Sequence, residues 1–149
     1  ARVARDPGQR ERFRREGEIM AGLRHPGVLA IHAAGLEGDT AWLACELVEG
    51  ARTLDQAADG QPLRRRVELV RDVARALGHA HRAGVVHRDV KPANVLVDAA
   101  GRVRVADFGM ALSEELERLT QTGHAVGTPA YMSPEQMVGE RAQVGPRSD

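Results

Sequence analysis

Three side chains in the middle of the chain could do chemistry together: the acid Asp89, the amide Asn94 and the acid Asp107. They lie in the run V-H-R-D-V-K-P-A-N-V-L-V-D-A-A-G-R-V-R-V-A-D, Val86 to Asp107, which Phe108 and Gly109 extend to D-F-G. The chemistry that suits them is phosphoryl transfer. That reaction leaves a protein little covalent work, so catalysis comes from holding nucleotide phosphates, metal ions and an acceptor hydroxyl in line. Magnesium is a hard cation that takes oxygen ligands, one or two from side chains and the rest from phosphates and water. Asn94 and Asp107 offer such oxygens. Asp89, five residues before Asn94, is placed to accept the proton of a hydroxyl facing the metals.

Other elements must position these groups. Val95 to Asp98 is largely apolar and β-branched, Ala99-Ala100-Gly101 reads as a turn, and Val103 and Val105 alternate with Arg102 and Arg104. A hairpin of that length folds back on itself, so Asn94 and Asp107 arrive side by side. Pro62 opens a long helix in which Leu63, Val67, Val70, Ala74, Leu77 and His81 recur at spacings of four and three. That stripe is expected to bury against a helical core. Gly84 suits the helix end, and His79 and His81 read as packing or solvated residues on different sides of it.

Earlier in the chain, Asp6-Pro7 suits a helix start. The helix is expected to run to about Leu23, with Phe13, Ile19, Met20 and Leu23 roughly on one face. Val28 to Ala34 and Ala41 to Val48 read as two strands joined by a turn around Glu37-Gly38-Asp39. Thr53 to Asp59 reads as a short helix.

H-R-D-V-K-P-A-N followed by D-F-G resembles the catalytic and metal loops of eukaryotic-type (Hanks-type) protein kinases. Lys91, two residues after Asp89, is similar to the serine/threonine branch. The later run G-T-P-A-Y-M-S-P-E-Q resembles the end of a kinase activation segment, with Ser133-Pro134-Glu135 where A-P-E is usual. The pattern is nearest to bacterial serine/threonine kinases. D-F-G alone would mean little, but three motifs in this order with these gaps are specific.

The resemblance implies an α+β fold of the two-lobed protein-kinase type, truncated here. Residues 1–48 would supply the remainder of the N-lobe: the family's helix C, its fourth and fifth strands and the start of the hinge. Residues 49–149 would supply the first part of the C-lobe: helices D and E, the catalytic-loop hairpin, the activation segment and the start of helix F. Glu16 would pair with the nucleotide-binding lysine of the family's third strand. Cys45 would stand as the gatekeeper behind adenine, a place that a small buried hydrophobe also fills. The backbone carbonyl of Glu46 and N–H of Val48 would meet the adenine edge, with Leu96 as its floor.

By the same resemblance Lys91, the one lysine against twenty arginines, would steady the transferred phosphate. Arg88 would pair with a phosphate added to the activation segment. Thr120 and Thr122 sit where bacterial relatives autophosphorylate, with ordinary loop residues as the alternative. Thr128 would be a hydroxyl bonded to Asp89 and Lys91. His87 would stack with Phe108, Met20 and Ile31, and Asp149 would brace the catalytic-loop backbone. Glu135 ordinarily pairs with an arginine much later in the fold.

The implied activity is transfer of the ATP γ-phosphoryl to serine or threonine of protein substrates with magnesium, or manganese in its place. It would be switched by activation-loop phosphorylation, with a homodimer as one route to autophosphorylation. The alternatives are a non-catalytic regulatory domain of kinase fold and a fragment inactive as it stands. A small-molecule phosphotransferase fits worse, because such enzymes tend to have glycine in place of Arg88 and to lack G-T-P-A-Y-M-S-P-E. The chain's 149 residues are fewer than two lobes need. The glycine-rich loop and the lysine partner of Glu16 are expected before residue 1, so residues 1–149 alone are expected to bind ATP poorly.

Composition points the same way. Formal net charge is zero and aromatics are 3%, so neither a basic field nor stacking platforms argue for nucleic acid. One cysteine permits no internal disulfide and fits a reducing compartment. No apolar run approaches the roughly 20 residues of a membrane span, and nothing resembles a signal peptide. A cytoplasmic location is expected, with a membrane anchor elsewhere in a parent chain as the alternative.

Overall fold

The structure, a computed structural model, describes residues 7–38, 40–108, 129–140 and 142–149. The chain opens with helix α1, Pro7–Gly22. Its Met20 and Leu23 side are buried, whereas Ile19, expected on the same face, is 45% exposed. The next residues do not enter a hairpin. Val28 forms an isolated parallel bridge to Val105, with Leu29 N–H donating to Val105 O at 2.9 Å and Val105 N–H to Gly27 O at 2.8 Å.

Strand β1 therefore starts later than expected, spanning Ile31–Glu37, and pairs antiparallel with β2, Thr40–Cys45. The expected continuation to Val48 also fails, because beyond Glu46 N–H, which still bonds Ala30 O, the chain leaves the ladder. A second sheet has the order β3 (Arg52–Thr53), β4 (Val95–Val97), β5 (Val103–Val105), all antiparallel. Thr53 leads into helix α2, Leu54–Ala58, where its N–H is capped by Gln56 Oε1 at 3.2 Å.

Helix α3, Leu63–Arg82, carries the largest correction. Leu63, Val67, Val70 and Ala74 are exposed, and the buried residues are Leu69, Val73, Ala76, Leu77 and Ala80. The helix holds two apolar stripes that share Leu77. The one that packs is the smaller-residued stripe, because it admits a close approach. A Cβ on Gly27 would stand 3.0 Å from the Ala76 Cβ, so small residues on both sides let α3 press against the segment bridged to β5. The core joins α1, α2, α3, β4 and β5 through Met20, Leu23, Ala57, Leu69, Val97 and Phe108 among others. The arrangement is the α+β organisation expected.

Helix α3 ends in a Schellman motif, with Gly84 at φ +78°, Gly84 N–H on His81 O and Val85 N–H on Ala80 O. A left-handed residue there suits glycine. The motif turns the chain back and delivers Val85-Val86-His87 along the core. No helix among the described residues is long and apolar enough to cross a membrane.

Candidate active site

The hairpin β4–β5 pairs Val95 with Val105, Leu96 with Arg104 and Val97 with Val103. Its turn is tied by Gly101 N–H to Asp98 O at 2.9 Å, and by the Asp98 carboxylate, which takes Arg102 N–H at 2.9 Å and Arg102 Nε at 2.8 Å. The first of these carboxylate bonds, to the Arg102 backbone, is the main reason that the Asp98 carboxyl is held below its ordinary pKa. Gly101 has φ +78°, and its carbonyl accepts Arg65 Nη2 at 2.6 Å, fastening the turn to α3.

At the open end Ala106 N–H donates to Asn94 O at 2.8 Å. Asn94 and Asp107 thus stand beside one another, as the spacing predicted. Pro92 starts a 3-10 turn, Pro92–Asn94, that lifts Asn94 into place. Asn94 is 7% exposed, and its Nδ2 donates to Asp89 O and Asp89 Oδ2, each at 2.8 Å. With the nitrogen committed to Asp89, the Oδ1 remains as an acceptor. Asp107 is exposed and has φ +55°. One amide oxygen and one carboxylate, with space for phosphate and water oxygens, are a donor set that a hard divalent cation accepts. Magnesium or manganese fits these residues.

Asp89 Oδ2 takes Lys91 Nζ at 2.7 Å as well as Asn94 Nδ2. The carboxylate, the lone ammonium and the amide therefore form one hydrogen-bonded group, with Asp89 29% and Lys91 23% exposed at the side chain. Behind them lies His87, fully buried, its ring tilted 44° on Phe108 with centroids 4.6 Å apart. Its Nε2 faces Ala106 O at 2.8 Å and its Nδ1 accepts Asp89 N–H at 3.2 Å. Those partners define a neutral imidazole with hydrogen on Nε2. Burial lowers the His87 pKa, outweighing the Ala106 carbonyl and the carboxylates of Asp149, Asp89 and Asp107. Of the expected stack the contact of His87 with Phe108 is present, and Met20 and Phe108 are buried in the core with Ile31 packed against it.

Arg88 is exposed and left-handed, with φ +69°. Its N–H donates to Asp149 Oδ1 at 2.6 Å, while Asp149 Oδ2 takes His87 N–H at 2.7 Å. Asp149 thus braces the loop backbone as the resemblance implied. His81 adds a contact that the sequence reading missed, its Nε2 lying 2.7 Å from Asp149 Oδ2. The Asp149 side chain is fully buried. Glu135 accepts Ser148 Oγ, which heads the causes that lower its carboxyl pKa.

Of the residues expected at an adenine edge, Leu96 is half-buried on β4. Cys45 is exposed, which corrects the expectation of a small buried hydrophobe; among the described residues β2 is paired only with β1. Glu46 Oε1 accepts Ala30 N–H at 3.1 Å and Arg104 Nε at 3.2 Å, and Val48 O accepts Ala51 N–H at 3.2 Å. Arg104 was also missed. Its signal was available, since a strand position opposite Leu96 shares Leu96's face. Glu16 lies on α1, but its side chain is outside the described set, and Thr120, Thr122 and Thr128 lie outside the described residues.

The profile for the protein kinase domain matches residues 2–149. Serine/threonine-protein kinase PknA of Mycobacterium tuberculosis is 41% identical, covering 97% of this chain and 35% of that protein. PknB of Mycobacterium leprae is 40% identical over the whole chain and 25% of its own length. The crystal structure of the Mycobacterium tuberculosis PknI kinase domain superposes with a TM-score of 0.75 at 34% identity, covering 99% of this chain and 54% of that one. The chain thus spans between a quarter and 35% of these curated relatives and about half of the solved kinase domain. With a profile matched from residue 2 to residue 149 and relatives about 40% identical over nearly the whole chain, the chain belongs to the protein kinase family.

Proposed function

We propose that residues 1–149 belong to a serine/threonine protein kinase that moves the γ-phosphoryl of ATP to hydroxyls of protein substrates. The observation that carries this is the junction of Asp89, Lys91 and Asn94 in one hydrogen-bonded group, with Asp107 beside it. Residues 1–48 are the N-lobe part and 49–149 the C-lobe part of this domain. Asp89 orients the acceptor hydroxyl and takes its proton as the oxygen bonds to phosphorus; the bond from phosphorus to the ADP oxygen breaks in the same transfer. Lys91 sets a point charge beside the transferring group. Asn94 and Asp107 hold the metal. Magnesium bound there supplies charge neutralisation on the phosphate oxygens.

Glu46 and Val48 backbone groups and Leu96 form the adenine site, with Cys45 behind it and Glu16 serving the nucleotide-binding lysine. Thr128 steadies Asp89 and Lys91. The exposed guanidinium of Arg88 supports a switch in which phosphate on Thr120 or Thr122 pairs with it, added by a second copy of the chain. Its ATP dependence and lone free cysteine support a cytoplasmic site of action.

The test expresses the full reading frame that carries these residues and incubates it with ATP and magnesium, then maps phosphate over residues 113–128 by mass spectrometry. Phosphate on Thr120 or Thr122 that disappears in Asp89→Asn is the expected result. A folded protein that labels neither itself nor a generic acceptor, or an Asp89→Asn variant that still labels, overturns the assignment.

A further inference from the structure

Arg88 is a non-glycine residue in the left-handed basin, immediately before Asp89. Such a conformation is strained for a residue with a Cβ and persists only where the surroundings over-determine it. Two side chains do so here, one on each half of the residue. Asp149 Oδ1 takes the Arg88 N–H at 2.6 Å, and Gln136 Nε2 donates to the Arg88 carbonyl at 2.5 Å. Gln136 lies in the single helical turn Pro134–Met137, and its Oε1 accepts Ser133 N–H at 2.9 Å at the start of that turn. One primary amide therefore spends its acceptor on the run G-T-P-A-Y-M-S-P-E-Q and its donor on the catalytic loop.

We propose that Gln136 is a positioning residue for phosphoryl transfer, coupling the turn 134–137 to the orientation of Asp89 through the Arg88 carbonyl. The inference rests on the kinase reading above. If the turn shifts, the carbonyl loses its donor, the Arg88 peptide is released from the left-handed basin, and the following residue, Asp89, swings with it. A glutamine is required by this geometry. Glutamate keeps the length and still accepts Ser133 N–H, completing the same end cap, but it has no N–H for Arg88. The nucleotide is held by other groups, so the coupling acts on turnover and not on ATP binding.

Gln136→Glu in the full-length protein separates the two bonds. The expected result is a kcat about tenfold lower with KM for ATP within about twofold of the parent, an unchanged melting temperature, and faster hydrogen exchange at the Arg88 and Asp89 amides. Wild-type kcat with unchanged exchange, or a rise in KM with kcat intact, overturns the proposal. If Gln136→Glu does not fold, Gln136→Asn, which keeps both amide functions one methylene short, is measured the same way. Should the parent itself transfer no phosphate, the kinase reading fails, while the exchange at Arg88 still decides for or against Gln136.

Discussion

The molecule holds two hairpins, a short one of three-residue strands, β4–β5, and a longer one, β1–β2, with strands of seven and six residues, and they differ in how far they are buried. In β4–β5, Val95, Val97, Val103 and Val105 are all at most 4% exposed, α3 lies against β5, and the turn is closed by Asp98 and held by Arg65. In β1–β2, Trp42 is 44% and Leu43 38% exposed, and Cys45 is open to solvent. The first hairpin ends in Asn94 and Asp107, the oxygens proposed to hold a metal, whose useful geometry would tolerate little error. The second leads to the segment proposed as a hinge, which would meet a nucleotide through its backbone and would need only to be kept in register. Glu46, bonded to Ala30 and Arg104, supplies that register by tying the loose hairpin to the tight one.

The contrast can be broken by truncating each side. Leu69, 1% exposed on α3, is expected to lose about 2–5 kcal/mol of stability as Leu69→Ala, because the cavity cannot fully collapse. Leu43→Ala, on the half-exposed face of β2, is expected to cost less than half of that. Urea denaturation of both variants in the full-length protein checks it, and equal losses would mean that β2 is buried as fully as the core that α3 shares with β4 and β5. Arg104→Met then tests the tie between them. The ion pair is partly solvated and worth about 0.5–1 kcal/mol, so ATP is expected to bind roughly two- to fivefold more weakly by calorimetry, with kcat retained. That pattern is the reverse of the one expected for Gln136.

The smallest effect concerns acid. His25 stacks on His79 with centroids 4.9 Å apart, and its Nδ1 accepts Gly27 N–H at 3.0 Å. Burial first, then His79 and Arg82, lower its pKa from the ordinary 6.5. The native state therefore resists a proton that the unfolded chain accepts, and stability falls as pH drops below 6.5 toward the depressed native value. The melting temperature is expected to decline across that window. His25→Asn, which keeps an acceptor for Gly27, is expected to flatten the decline, and an unaltered slope would remove His25 as its cause.

Much of the tight hairpin was legible because its information is local. A β-branched run, a glycine turn and alternating valines fix β4 and β5, and the pairing follows from their length. The helix α3 was legible as a helix, but its buried face was not. Leu63, Val67 and Val70 are more apolar than Ala76 and Ala80, yet closeness to Gly27 favours the small residues, and closeness is decided by the partner. Val28 misled for the same reason, since its extended chain suits β1 and β5 equally. His81 and Gln136 were out of reach, as their bonds to Asp149 and Arg88 join residues 68 and 48 positions apart.

The brace at Asp149 has a consequence for the order in which the protein is made. The hairpin turn closes through Asp98 and Arg102, four positions apart, and it can form as soon as it is synthesised. The loop that carries Asp89 is held by a carboxylate 61 and 62 positions downstream of the amides it grips, and long closures of that kind come late in folding. A nascent chain stopped before Asp149 would thus carry a closed hairpin turn beside an unbraced loop, with Asn94 still waiting for Asp89 to orient its amide. The turn and the loop that carries Asp89 would then be completed at different moments in the life of the chain.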